Sequence, residues 1–298
     1  MSALHAIVAA TDLSTPAADA AERAALLAQA AGARLTLVHA LSTSALEELR
    51  RGLEGGDAAA ATLQDDARAR LHEQAAALAR RHGLAVDAEL ALGNPVEAVG
   101  HAAERTGADL VVTGTRGAGL LRGVVIGSTA ERIAARSARP ALMVRRAPAQ
   151  AYRRVLVALD FSPCSAALLA LAARVAPAAE LVLLHAVELP FESRLRTAGV
   201  ADTTLAQYRE RMRREARARL EALAAAAGLA AARTGFATPD GADPWMQIVQ
   251  AERAQSCDLV AIGRQGRSTL QDLLLGSTTR TVMAEGSADV LVAPQPAA

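Results

Sequence analysis

Two short runs in this chain have the residue types and spacing of a phosphate cradle. Gly114-Thr115-Arg116-Gly117 is followed after nine residues by Gly127-Ser128-Thr129, and Gly263-Arg264-Gln265-Gly266 is followed at the same spacing by Gly276-Ser277-Thr278. Glycine lets a backbone approach a ligand closely and present its amides, while a fresh helix N-terminus adds unpaired N–H groups and a positive dipole end. Ser128 and Ser277 are expected to cap the helices that follow and to offer a hydroxyl to a phosphate oxygen. A Gly-x-x-Gly alone is usually a turn. The complete spacing is more specific because it follows a buried apolar run, occurs twice, and is accompanied by Asp12 and Asp160 after the first apolar run of each half. The competing reading is that these glycines only shape turns and helix starts.

The cradle needs strands and helices to hold it, and these repeat. Asp12-Leu-Ser14 recurs as Asp160-Phe-Ser162, 148 positions later, and Leu37-Val-His39-Ala40 as Leu183-Leu-His185-Ala186, 146 positions later. Gly107-Ala-Asp109 recurs as Ser256-Cys-Asp258, and Pro95 as Pro244, each 149 positions later. So long a period means a duplicated domain rather than a solenoid. The expected domains are 1–147 and 152–298, joined near Pro148. In the first half, strands are expected at Ala6–Ala10, Arg34–Ala40, Ala85–Leu92, Leu110–Thr113 and Ala141–Arg145. The second half repeats them at Val155–Leu159, Leu181–Val187, Ala231–Phe236, Leu259–Ile262 and Val290–Val292. The runs are continuously apolar, as in strands covered on both faces, and Ala-rich helical stretches separate them. Helices are expected to open at Ser14-Thr15-Pro16 and at Ser162-Pro163. The fold class is therefore α/β: two tandem, doubly wound, Rossmann-like domains, each a five-stranded parallel sheet with helices on both faces. In such sheets ligands sit beyond the carboxyl ends of the strands, where Asp12, His39, Gly114 and their counterparts fall. The apolar last strands, Pro140–Val144 and Asp289–Val292, are edges that need cover, and pairing between them would supply it.

Composition narrows the function. A net charge of +1 gives no field to steer the chain toward DNA or acidic membranes, and 2% aromatic residues leave few stacking platforms for single-stranded nucleic acid. The charged segment Arg209–Arg219 is interleaved with Glu210 and Glu215 and reads as a solvated helix with short-range ion pairs. Cys164 and Cys257 form no CxxC pair, so a reduced cytoplasmic setting is expected, with both thiols acting as small buried hydrophobes. The N-terminus has no basic leader, and no stretch approaches the roughly 20 apolar residues of a membrane span. His39 and His185 have no second ligand at a recognisable spacing, which favours a structural role over metal binding. No Gly-Lys-Ser/Thr phosphate loop and no dedicated catalyst is present.

Across nearly all of both halves the chain resembles the universal stress protein family. The two Gly-x-x-Gly-(nine residues)-Gly-Ser runs are similar to the motif of its ATP-binding branch. The resemblance implies one adenine nucleotide per half, ATP or its ADP or AMP forms, with room for Mg2+. It also implies a role as a nucleotide-dependent regulatory or stress-response protein. Carried over by position, Asp12 and Asp160 would hold the ribose side, and the backbone of Ala40 and Ala186 would read adenine. Gly114, Arg116, Gly117, Gly127, Ser128 and Thr129 would hold ribose and phosphates, as would Gly263, Gly266, Gly276, Ser277 and Thr278. Arg116 has Gln265 as its counterpart, and Thr11 has Leu159, so the two sites are expected to differ in affinity. A protein partner of unknown identity and a homodimer are expected, but no nucleic acid or membrane. Slow ATP hydrolysis and an ATP-independent scaffold are the rival functions.

Overall fold

The computed structural model describes residues 3–115, 126–188, 192–241, 243–265 and 275–295. Arg116, Gly117 and Gly266 of the expected site lie outside them. Contacts divide the chain into two compact units, one of Met1–Ala151 with Asp289–Pro294 and one built on Tyr152–Ala288.

The first unit runs β1 (Ala6–Ala10), α1 (Thr15–Ala31), β2 (Arg34–Leu41), α2 (Thr43–Gly52), α3 (Gly56–His82), β3 (Val86–Leu92), α4 (Pro95–Thr106), β4 (Leu110–Gly114), α5 (Ser128–Arg136) and β5 (Ala141–Val144). Its strand order is β3-β2-β1-β4-β5 with parallel neighbours. The winding reverses between β1 and β4, which opens the crevice where ligands bind in such sheets. Ile7, Val8, Ala9, Leu110, Val111 and Val112 are fully buried. Ala20, Ala21, Ala24 and Ala25 of α1 are 0% exposed, small side chains that form a flat helix face for burial. Ser14 caps α1 by accepting the Ala17 amide at 3.4 Å, with Pro16 in the first turn, as expected.

The second unit runs β6 (Arg154–Ala158), α6 (Ser165–Val175), β7 (Glu180–Leu184), α7 (Glu192–Thr197), α8 (Asp202–Ala226), β8 (Thr234–Ala237), α9 (Pro244–Ala254), β9 (Leu259–Gly263) and α10 (Ser277–Glu285). Its parallel strands follow the order β9-β6-β7-β8. The last strand, β10 (Asp289–Ala293), groups with the first unit, where it pairs antiparallel with β5, Val290 opposite Met143 and Val292 opposite Ala141. The β5 edge is thus covered, and the sheet is mostly parallel. Asp289 is 4% exposed there; it accepts the Arg145 amide at 2.8 Å and pairs with the equally buried Arg23 of α1 at 3.4 Å.

Three local expectations are corrected. The helix expected at Ser162-Pro163 begins at Ser165, because Ser162 closes a turn by accepting the Ser165 amide at 3.0 Å. Residues 231–233, expected as strand, form a 3-10 turn before β8. Cys164 is the N-cap of α6 and only half-buried, whereas Cys257 is buried as expected. In α8, Arg211–Glu215 and Arg217–Glu221 pair one turn apart at 3.7 and 2.6 Å. The repeated Asp109 and Asp258 anchor the starts of the central strands, accepting the amides of His5 at 2.7 Å and Arg153 at 2.8 Å.

Candidate functional site

The β1–β2 ladder ends at the pair Ala10–Val38, and one further backbone bond, from the Thr11 amide to the Val38 carbonyl, spans 2.9 Å. The chain then turns through Leu13, whose φ of 63° is left-handed. A residue with a side chain pays about 1–2 kcal/mol for that conformation, so local bonds must hold it. Two do: the Leu13 amide donates to Thr11 Oγ1 at 3.0 Å, and the Ser14 amide donates to Asp12 Oδ1 at 3.0 Å. The turn therefore presents Asp12 at the carboxyl end of the central strand. From β2, the His39 Nδ1–H donates to the Thr11 carbonyl at 2.8 Å. Among the described residues no three His, Cys, Asp or Glu converge as metal ligands.

Beyond β4, the Thr115 amide donates to the Val144 carbonyl at 3.0 Å, and the Gly127 amide returns to the Thr115 carbonyl at 2.8 Å. That return places the start of α5 beside the end of β4. The N-cap of α5 is Gly127, and Ser128 is its first helical residue with no side-chain cap bond. The expectation that Ser128 and Ser277 cap their helices is thus corrected; Gly276 is likewise the N-cap of α10. The reason is geometric, since a capping residue must precede the first turn and each serine already belongs to it. The correction leaves both hydroxyls free of that duty. The first intrahelical bond of α5 is Glu131 N–H to the Gly127 carbonyl at 3.0 Å, so the amides of Ser128, Thr129 and Ala130 have no intrahelical acceptor.

These ends enclose a cavity of about 340 Å³. Asp12, Ala40, Gly114, Gly127, Ser128 and Thr129 line it, so every described site residue of the first half is brought together. Thr11 and His39 join them, with Pro95, Val99 and Ile133 giving an apolar side. Pro95 sits there because Asn94 caps α4, accepting the Val96 amide at 2.9 Å. Val99 and Ile133 were not anticipated; their only sequence signal is a place on the apolar face of a short helix.

In the second unit the Leu159 amide meets the Leu184 carbonyl at 2.8 Å, and His185 Nδ1–H donates to the Leu159 carbonyl at 2.7 Å. Phe161 repeats the left-handed turn with φ 60°. Asp160 Oδ1 accepts the Ser162 amide at 2.9 Å and the Ser165 hydroxyl at 3.3 Å, while its buried Oδ2 has no hydrogen-bond partner among the described residues. The Phe161 ring lies 4.2 Å from that of His185, and the Arg219 guanidinium sits 3.9 Å over it. Ala186 follows His185 just past β7, and Gly263 ends β9. The Gly276 amide donates to the Arg264 carbonyl at 2.9 Å, and the Thr279 hydroxyl to the Gly263 carbonyl at 2.7 Å, which sets Ser277 and Thr278 at the start of α10. Arg264 stands where the first unit has Thr115. Burial lowers its pKa, the direction expected for a cation taken partly out of water. It remains a protonated guanidinium near neutrality, on the residue whose carbonyl accepts the Gly276 amide at the start of α10.

The family profile described as "Universal stress protein family" matches residues 4–145 and again residues 151–294. A protein of Thermus aquaticus, the "Universal stress protein in QAH/OAS sulfhydrylase 3'region", is 36% identical over 139 residues, covering 43% of this chain and 91% of its own. A universal stress protein crystal structure from Archaeoglobus fulgidus DSM 4304 shares the fold across 98% of both chains at 17% identity, with a TM-score of 0.65. A functionally unknown protein from Pseudomonas aeruginosa PAO1 does so at 18% identity, over 98% of this chain and 93% of its own, with a TM-score of 0.63. With the profile matched in succession by both halves, the chain belongs to the universal stress protein family and carries two tandem copies of its domain.

Proposed function

We propose that each unit holds one adenine nucleotide, ATP or its ADP or AMP forms, and that the chain is a nucleotide-dependent regulatory or stress-response protein of the cytoplasm. The observation that carries this reading is the first-unit cavity, which gathers an acid, a strand-end backbone and a helix N-terminus at the switch point of the sheet. Its volume falls in the range of about 300–1,000 Å³ common to small-molecule sites. Each end suits a different part of the ligand. The carboxylate of Asp12 accepts ribose hydroxyls and repels phosphate. The backbone at Ala40 offers groups to the adenine edge. At the other end, the start of α5 presents amides without intrahelical partners, the Ser128 and Thr129 hydroxyls, and a glycine N-cap with no Cβ to hold an anion away.

The second unit supports the same reading through Asp160. Its buried Oδ2 lacks a partner among the described residues, and a ribose hydroxyl would satisfy it. Arg264, beside Gln265 at the position of Arg116, would supply the cation that Gln265 lacks. Any Mg2+ would ride on the phosphates, to which the α5 and α10 N-termini are turned. Two free cysteines fit a reducing compartment, and no helix among the described residues is long and apolar enough to cross a membrane.

The test is mass spectrometry of small molecules released from the purified protein, followed by calorimetric titration with ATP, ADP and AMP. Up to two adenine nucleotides per chain are expected. A chain that releases none and binds none refutes the reading, leaving an ATP-independent scaffold. Single-turnover measurement on bound ATP then separates binding from slow hydrolysis.

A further inference from the structure

We infer that His39 and His185 are positioning residues for the nucleotide, each extending the sheet by one side-chain rung and so setting the direction of the aspartate that follows. The inference rests on the nucleotide reading above and deepens it. In the first unit the backbone ladder gives out after the Thr11 amide meets the Val38 carbonyl at 2.9 Å, and the next acceptor, the Thr11 carbonyl, is taken by His39 Nδ1 at 2.8 Å. In the second unit the Leu159 amide meets Leu184 at 2.8 Å, and the Leu159 carbonyl is taken by His185 Nδ1 at 2.7 Å. A carbonyl can only accept, so Nδ1 carries the proton in both rings. The pinned carbonyl belongs to the peptide that leads into Asp12 or Asp160, immediately before a left-handed residue, Leu13 at φ 63° or Phe161 at φ 60°. Releasing it lets that peptide rotate and swings the carboxylate off the strand axis. The same bond from the same residue type forms in both halves although the accepting residue differs, Thr11 in one and Leu159 in the other, which argues against incidental packing.

The two turns are not equally secured. Thr11 Oγ1 also accepts the Leu13 amide at 3.0 Å and lies 3.2 Å from Gln74 Oε1, whereas Leu159 has no hydroxyl. The second turn has instead the contact of Phe161 with His185 itself, at 4.2 Å, and with Arg219. Loss of the histidine therefore removes two supports in the second unit and one in the first.

The experiment titrates the full chain with ATP by calorimetry, fitted to two sites. His39→Leu and His185→Leu remove the donor; His39→Asn and His185→Asn restore an amide N–H near the place of Nδ1. The leucine variants are expected to weaken ATP binding at the altered unit roughly tenfold, more at His185 than at His39, and the asparagine variants to recover to within about twofold. Because the histidine acts through the aspartate, His39→Leu is expected to add nothing in an Asp12→Ala background, which a merely structural role would not predict. Parental affinity in the leucine variants, failure of asparagine to rescue, or an undiminished effect in the Asp12→Ala background would each overturn the inference. A parent chain that binds no adenine nucleotide removes the nucleotide reading and this role with it, before any variant is measured.

Discussion

Replacing Asp160 by asparagine separates two jobs that one carboxylate performs. Oδ1 closes the β6–α6 turn, accepting the Ser162 amide at 2.9 Å and the Ser165 hydroxyl at 3.3 Å, and Oδ2 is buried without a partner among the described residues. Asparagine keeps the first oxygen as an acceptor and puts an N–H2 donor in place of the second. The turn should therefore survive, and unliganded stability should change little. Binding should weaken, because a ribose hydroxyl loses a charged acceptor worth about 1.5–3 kcal/mol, roughly 10- to 100-fold in Kd. Alanine removes both oxygens. It should weaken binding similarly, and also lower unfolding free energy by about 1–3 kcal/mol as the turn loses its acceptor. Calorimetric titration of parent, Asp160→Asn and Asp160→Ala with ATP, alongside unliganded urea melts, reads both quantities. A parallel titration with 2′-deoxy-ATP should show a smaller parent-to-Asn ratio if the lost partner is the 2′-hydroxyl. An Asn variant with parental affinity for ATP refutes the ribose assignment and leaves Asp160 a turn-former.

Three further outcomes are expected. Gly127→Val should abolish nucleotide at the first unit while the second keeps its own, so that stoichiometry falls from two to one; two sites remaining in a folded variant would remove the α5 N-terminus from the cradle. Asp289→Ala should cost the first unit about 1.5–3 kcal/mol in urea unfolding, since it removes the carboxylate 3.4 Å from the buried Arg23 guanidinium and the acceptor of the Arg145 amide, while Arg23 keeps the Gln150 carbonyl at 2.7 Å; an unchanged unfolding free energy would show the pair to be unimportant. Burial pushes the Cys257 thiol up to about 12 from an ordinary 9.0, so the native state holds its proton where the unfolded chain releases it. Stability should accordingly decline as pH rises from about 9 toward about 12, the decline should flatten in Cys257→Ala, and a thiol reagent at pH 8 should titrate two cysteines only in denaturant.

Strand identity, the repeat and the strand-end positions of the site were legible in the sequence because each depends on local pattern. Continuous apolar runs mark strands buried on both faces, and glycines and aspartates punctuate their ends. β1 is the clearest case, Ala6–Ala10 both as expected and as found. Asp12, Ala40 and Gly127 share a cavity because parallel winding carries every strand end to the same edge of the sheet, a consequence of topology that alternating elements already imply. Local competition was less legible. Whether Ser162 caps a helix or closes a turn depends on a carbonyl-to-amide bond three residues on and on the Asp160 carboxylate, and the sequence Ser-Pro permits both. Tertiary structure alone decided the long-range side-chain partners: His39 on Thr11, Arg219 over Phe161 and Arg23 beside Asp289, whereas the pairing of β10 with β5 was already expected from two apolar edges that needed cover. Such side-chain contacts join residues whose separation along the chain leaves no periodic trace. The Thr11–His39 and Arg23–Asp289 contacts draw their strength from burial, which exists only after the elements have packed.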